Sequence, residues 1–130
     1  MNLTGKSVYL SGPMSGLDHN NVQGFARAHA IVRAAGAERV YDPADAWLSH
    51  PTDWDEQLTH EHYMLDSINT LTRHVQTIDG PFRALYDVVV LLPGWSQSAG
   101  ARLEYEVARA CGIRTLDLAD VEDALRDGGR

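Results

Sequence analysis

Strands alternating with helices along the whole chain predict an α/β sandwich built on a parallel sheet, and three observations carry that expectation. Short apolar runs rich in β-branched residues end in Gly or Pro, at Ser7-Val8-Tyr9-Leu10 before Ser11-Gly12-Pro13 and at Val88-Val89-Val90-Leu91-Leu92 before Pro93-Gly94. Between them apolar residues recur at helical spacing. The length of 130 residues with 44% hydrophobic content suits one compact domain with a substantial core.

The first strand covers residues 7–10 and breaks into the loop Ser11-Gly12-Pro13-Met14-Ser15-Gly16, rich in residues that tolerate tight turns. A helix follows, because Phe25, Ala28, His29, Val32 and Ala35 share one face and Gly36 is a natural stop. The second strand is Arg39-Val40-Tyr41, closed by Asp42-Pro43. Residues 45–52 read as a loop holding Trp47. Trp54, Leu58, Leu65, Ile68 and Leu71 then mark a long helix over about residues 53–72, with Asp53 as its cap. Residues 73–86 show neither period and turn at Asp79-Gly80-Pro81, so they read as an insertion before the strand at 88–92. A helix carrying Glu104, Val107, Ala108 and Cys111 on its inner face comes next, then a strand at 115–118 and a short helix capped by Asp120, with Val121, Ala124 and Leu125 inward. Repeated strand–helix units imply a single domain over residues 1–130: a flavodoxin- or Rossmann-like three-layer sandwich with four to five parallel strands.

Charge and composition narrow the function. Eleven basic against eighteen acidic side chains leave a net charge of −7, which argues against affinity for a nucleic-acid polymer or an anionic membrane. The single cysteine, Cys111, cannot form an internal disulfide and is expected as a small core residue. No apolar run approaches a membrane span and the start lacks a signal-peptide pattern, so the expectation is a soluble, cytoplasmic protein.

The residue that invites chemistry is Glu104. At helical period it joins the apolar stripe, while Glu106 falls on the solvated side. An unpaired charge in an interior costs several kcal/mol, so such a glutamate needs a partner, a proton or a crevice open to ligand. Parallel sheets bind ligands beyond the carboxyl ends of their strands, where the start of this helix lies. The competing explanation is a glutamate favoured only by the helix dipole. Ahead of the helix, Ser96-Gln97-Ser98-Ala99-Gly100 offers two hydroxyls and free amides suited to a phosphate or sugar oxygen, although capping alone explains one serine. The Ser11-Gly12 loop matches neither the dinucleotide fingerprint nor a P-loop and is as well explained by a tight turn. His60-Glu61-His62 places two histidines about 200° apart on a helix, unsuited to one ion. His19, His29, His50 and His74 show no ligand spacing, and His29 reads as a satisfied, partly buried residue; neither a metal nor a cofactor is expected.

Residues 7–16, Asn21 with Phe25, and above all Asp87-Val88-Val89-Val90-Leu91-Leu92-Pro93-Gly94-Trp95 followed by Ser98-Ala99-Gly100-Ala101-Arg102-Leu103-Glu104 resemble the nucleoside 2-deoxyribosyltransferase-like superfamily. The likeness is to its small phage and prophage branch, and in the serine-to-glutamate spacing also to deoxynucleoside 5′-monophosphate N-hydrolases. It covers nearly the whole chain apart from residues 73–86. The resemblance implies Glu104 as nucleophile, Ser98 as the serine that orients the sugar or 5′-phosphate, and Tyr9 and Gly12 as part of the first-strand pocket. Gly94 and Gly100 lie in the same matched stretch and join the binding set. Met14 and Trp95 are candidates to stack on the base, with packing an equal explanation for Trp95. The family's second acid falls on Asp66 or on Asp79, and Asp66 is preferred because a helix fixes a carboxylate better than a turn.

The implied reaction is attack of Glu104 on the anomeric carbon of a nucleoside or nucleotide, release of the base, and resolution of the glycosyl ester by water or a second base. This is the logic of a retaining glycosidase. Hydrolysis is favoured over transfer, since the tail at 125–130 does not resemble the carboxylate-bearing end of the transferases, and the resemblance implies a homodimer. A non-catalytic nucleotide-binding or sensing module would carry the same motifs. A phosphoacceptor domain is disfavoured, because Leu91-Leu92-Pro93 provides no aspartate cluster at the strand end.

Overall fold

The computed structural model describes residues 2–14, 21–44 and 60–128. Its main sheet contains β1 (Ser7–Ser11), β2 (Arg39–Tyr41), β5 (Val88–Leu91) and β6 (Arg114–Asp117), in the order β2-β1-β5-β6 with every pairing parallel. The helices are α1 (Val22–Ala34), α2 (His60–Leu71), α3 (Ala99–Ala110) and α4 (Leu118–Gly128). The expected Rossmann-like three-layer sandwich is the fold observed.

Alternation along the strands sorts the core into two halves. Val8, Leu10, Val88 and Val90 pack beneath α1 and α4 with Phe25, Ala28, Val32, Leu118 and Val121. Tyr9, Val89 and Leu91 face the other way, onto Leu71 of α2 and Ala108 of α3. Both faces of the sheet are covered, which is why β5 reads as an unbroken apolar run rather than an alternating one. None of the described helices is long and apolar enough to cross a membrane.

α1 ends where Gly36 takes φ 105°, as its position after the last periodic residue implied. His29 is half-buried and satisfied, with Nδ1 3.2 Å from Asp42 Oδ2. Three expectations need correction. Cys111 is exposed rather than buried, because α3 stops at Ala110 and Cys111 begins the turn through Gly112, beyond the packed face. Leu65 is 71% exposed, since α2 packs through Met64, Ser67, Ile68 and Leu71 and Leu65 lies off that face. Asp120 sits in the first turn of α4 instead of capping it, because β6 ends at Asp117 and the buried Leu118 already opens the helix. The unpatterned stretch at 73–86 forms an antiparallel hairpin of β3 (His74–Val75) and β4 (Arg83–Ala84), too short for a period to show. The expected cap Asp53, with Trp47, Trp54, Leu58, Ser15, Gly16, His19 and His50, lies outside the described residues.

Candidate active site

The chain leaves β1 toward β2 on one side and leaves β5 toward β6 on the other, so the sheet order reverses between the carboxyl ends of β1 and β5. That switch point is where open parallel sheets hold ligands. Two loops meet there. A Cβ on Gly12 would stand 2.7 Å from Leu92 Cβ, so only glycine lets the two strand ends approach this closely. Gly94 adopts φ 84°, which favours glycine, and turns the chain into a short 3-10 stretch at Trp95–Gln97.

Ser98 caps α3, its hydroxyl accepting from the Ala101 N–H at 3.2 Å. Gly100 makes room for α2, since a Cβ there would lie 3.0 Å from Met64 Sδ. With α3 placed by these contacts, Glu104 points at the sheet and is 8% exposed. Tyr9 donates from its hydroxyl to Glu104 Oε2, and Ser11 donates to Oε1 at 2.8 Å. Tyr9 and Ser11 are two apart on β1 and therefore share the α2/α3 face, which is how one strand supplies both donors. The Tyr9 hydroxyl also lies 3.3 Å from the Ser67 carbonyl oxygen of α2. Among the described residues no buried side-chain nitrogen or oxygen lacks a partner.

Burial raises the Glu104 carboxyl above the ordinary glutamate range, and the hydrogen bonds from Tyr9 and Ser11 pull it back. Glu104 occupies the second turn of α3, where the helix dipole has largely faded. The two hydroxyls, rather than the helix end, therefore favour its charged form. Each carboxylate oxygen accepts one of these bonds and retains a lone pair. Tyr9 is itself pushed well above the usual tyrosine value, by burial first and the adjacent Glu104 charge second.

The rest of the candidate set falls around this centre unevenly. Tyr41 stacks on Tyr9 at 4.9 Å and 19°, and Tyr86 meets both edge-on. Asp66 is exposed on α2, where its charge helps push the Tyr41 phenol up to about 12, after burial as the main cause. Asp79 is exposed in the hairpin, between β3 and β4. Trp95 stacks at 4.8 Å on Tyr105 of α3, on the Glu104 side of the sheet. Met14 packs instead against the core beneath α1 and α4. Among the described residues no three His, Cys, Asp or Glu side chains gather as a metal site would require.

Sequence reasoning missed Ser11 as a partner of Glu104 and Tyr41 as a neighbour. The i, i+2 spacing of two hydroxyl residues on one strand was a readable signal for the first. Tyr41 depends on which strands pair, and spacing along the chain does not encode that.

None of the curated proteins matches the chain. Over residues 6–76 and 74–117, a span that includes Tyr9, Ser11 and Glu104, the sequence fits the model of the family described as a domain of unknown function, DUF4406, and the chain belongs to that family.

Proposed function

We propose that the protein cleaves the N-glycosidic bond of a nucleoside or its 5′-monophosphate, with Glu104 as nucleophile and hydrolysis favoured over base transfer. The observation that carries this reading is the inward-facing Glu104 at the strand-order switch, with one hydroxyl on each carboxylate oxygen. Its likeness to the nucleoside 2-deoxyribosyltransferase-like superfamily, in the spacing from Ser98 to Glu104, supports the substrate class. Desolvation makes the carboxylate a stronger nucleophile, and Tyr9 and Ser11 keep it oriented. C1′ bonds to a Glu104 oxygen as the C1′–N bond breaks and its electron pair leaves with the base. Water then attacks the anomeric carbon C1′ and breaks its bond to the Glu104 oxygen, so that the hydroxyl stays on the sugar, the carboxylate is returned and the remaining proton balances the one the base takes up.

On this reading Ser98, Gly94 and Gly100 line the sugar or phosphate side, Trp95 the base side, and Asp66 serves the leaving group. A cytoplasmic homodimer of phage or prophage origin belongs to the same proposal. A sensing module that binds a nucleotide without turnover is the second reading. The satisfied hydrogen bonding of Glu104 is what favours it, since such a carboxyl is stable without substrate.

Chromatography of free base released from a panel of nucleosides and 5′-monophosphates distinguishes the two. The expected result is release by the natural protein and a loss of at least about a thousandfold in Glu104→Gln, as for removal of a covalent nucleophile. Tight binding without release by either protein would favour the sensor. In the active case kcat/KM climbs with pH along a limb displaced above the ordinary glutamate value of 4.5, because Glu104 must be ionised to attack.

A further inference from the structure

Tyr41 ends β2 and pairs in register with Tyr9. Paired residues in parallel strands send their side chains to the same face about 4.8 Å apart. The ring separation of 4.9 Å at 19° shows the two phenols running side by side. The Tyr9 hydroxyl is on Glu104, so the Tyr41 hydroxyl stands roughly one strand spacing to the side, about 5 Å away. That sets a second phenol hydroxyl beside the one that holds the nucleophile. Tyr9 is fully buried, whereas Tyr41 is half-buried. Thr70 of α2 hydrogen-bonds the Tyr41 hydroxyl, the charges of Asp66 and Glu104 both act on it, and Tyr86 braces both rings edge-on.

We propose that Tyr41 is the residue that contacts the departing base, donating a hydrogen bond to the acceptor beside the glycosidic nitrogen, purine N3 or pyrimidine O2. The inference rests on the glycosidic-bond reading and adds the base contact to it. As C1′–N breaks, the electron pair moves into the base ring, and the Tyr41 O–H stabilises the charge that builds on that acceptor. The phenol keeps its proton, consistent with its being pushed up to about 12, and the base is protonated by water. Both base classes present an acceptor at this position, so the contact demands a nucleobase without selecting purine or pyrimidine.

The test measures base release from the nucleotide the natural protein cleaves, and from an analogue of it in which that acceptor is replaced by C–H. The analogue is the 3-deaza form for a purine or the 4-pyrimidinone form for a pyrimidine. Tyr41→Phe should slow the parent reaction about tenfold to a hundredfold, the range of one hydrogen bond to a charged group, and change the analogue by less than about twofold. Equal slowing of parent and analogue by Tyr41→Phe, or slowing of neither, overturns the inference, with thermal unfolding checking that the variant is folded. Absence of base release by the natural protein overturns both this inference and the reading beneath it. Release that survives Glu104→Gln overturns the nucleophile assignment alone.

Discussion

A carboxyl group that is 8% exposed beneath a sheet is an expensive residue to keep for packing. Its folded-state ionisation is disfavoured by burial, so the folded protein holds the Glu104 proton to higher pH than the unfolded chain does. Stability from this group is fully present below the unfolded value of 4.5 and falls as pH rises through the raised folded value. Glu104→Gln preserves the shape and removes the charge. It should therefore melt higher than the natural protein near neutral pH, with the difference shrinking below about pH 4.5, as measured by thermal unfolding across pH. Tyr9→Phe works in the opposite direction. Removing the donor to Oε2 takes away a bond that favours the charged form, so its stability should fall more steeply with pH, by about 1–3 kcal/mol once Glu104 is ionised, in denaturant titrations at two pH values. A stability optimum that ignored both substitutions would mean that Glu104 is not buried as described.

The elements that place this carboxylate depend on a few local devices. Ser98 caps α3, and Ser98→Ala should cost about 1 kcal/mol of stability. Gly12→Ala should cost about 1–3 kcal/mol, because its Cβ would meet Leu92 Cβ at 2.7 Å with no flexible side chain to yield. The glycines and Ser98 thus have structural reasons to be present, and a role toward substrate is additional. The hairpin at 73–86 behaves differently: Ile78 and Phe82 are 102% and 67% exposed, so Ile78→Ser with Phe82→Ser should leave the melting temperature nearly unchanged, within the ±0.5 kcal/mol typical of surface changes. The sequence exposed the strands and α1 closely, because Gly36 and the β-branched runs act locally. It misassigned Leu65 and Cys111, whose burial depends on where a neighbouring helix rests and on where α3 ends. The Tyr9–Tyr41–Tyr86 cluster was not legible, since it assembles from three separate segments through strand pairing.

At the scale of the whole molecule, one feature of topology organises the site. The order β2-β1-β5-β6 forces the loops after β1 and β5 apart in direction, and α3 then carries Glu104 beneath the gap between those strands. The alternation of strands and helices predicted this sheet, and the apolar stripe containing a glutamate predicted the residue that faces it. The tyrosine and serine that receive it followed from strand alternation and were readable only in part. Two cores on one continuous sheet should unfold together, so far-UV circular dichroism and tryptophan fluorescence should report coincident transitions. The central claim is that Glu104 forms a covalent bond to the sugar. Its most direct test is peptide mass mapping of protein quenched in acid during turnover with a cleaved nucleotide or nucleoside. The expected result is a glycosyl mass added to the peptide containing Glu104 and absent in Glu104→Gln; base release at full rate with no adduct, or with the adduct on another residue, would contradict it.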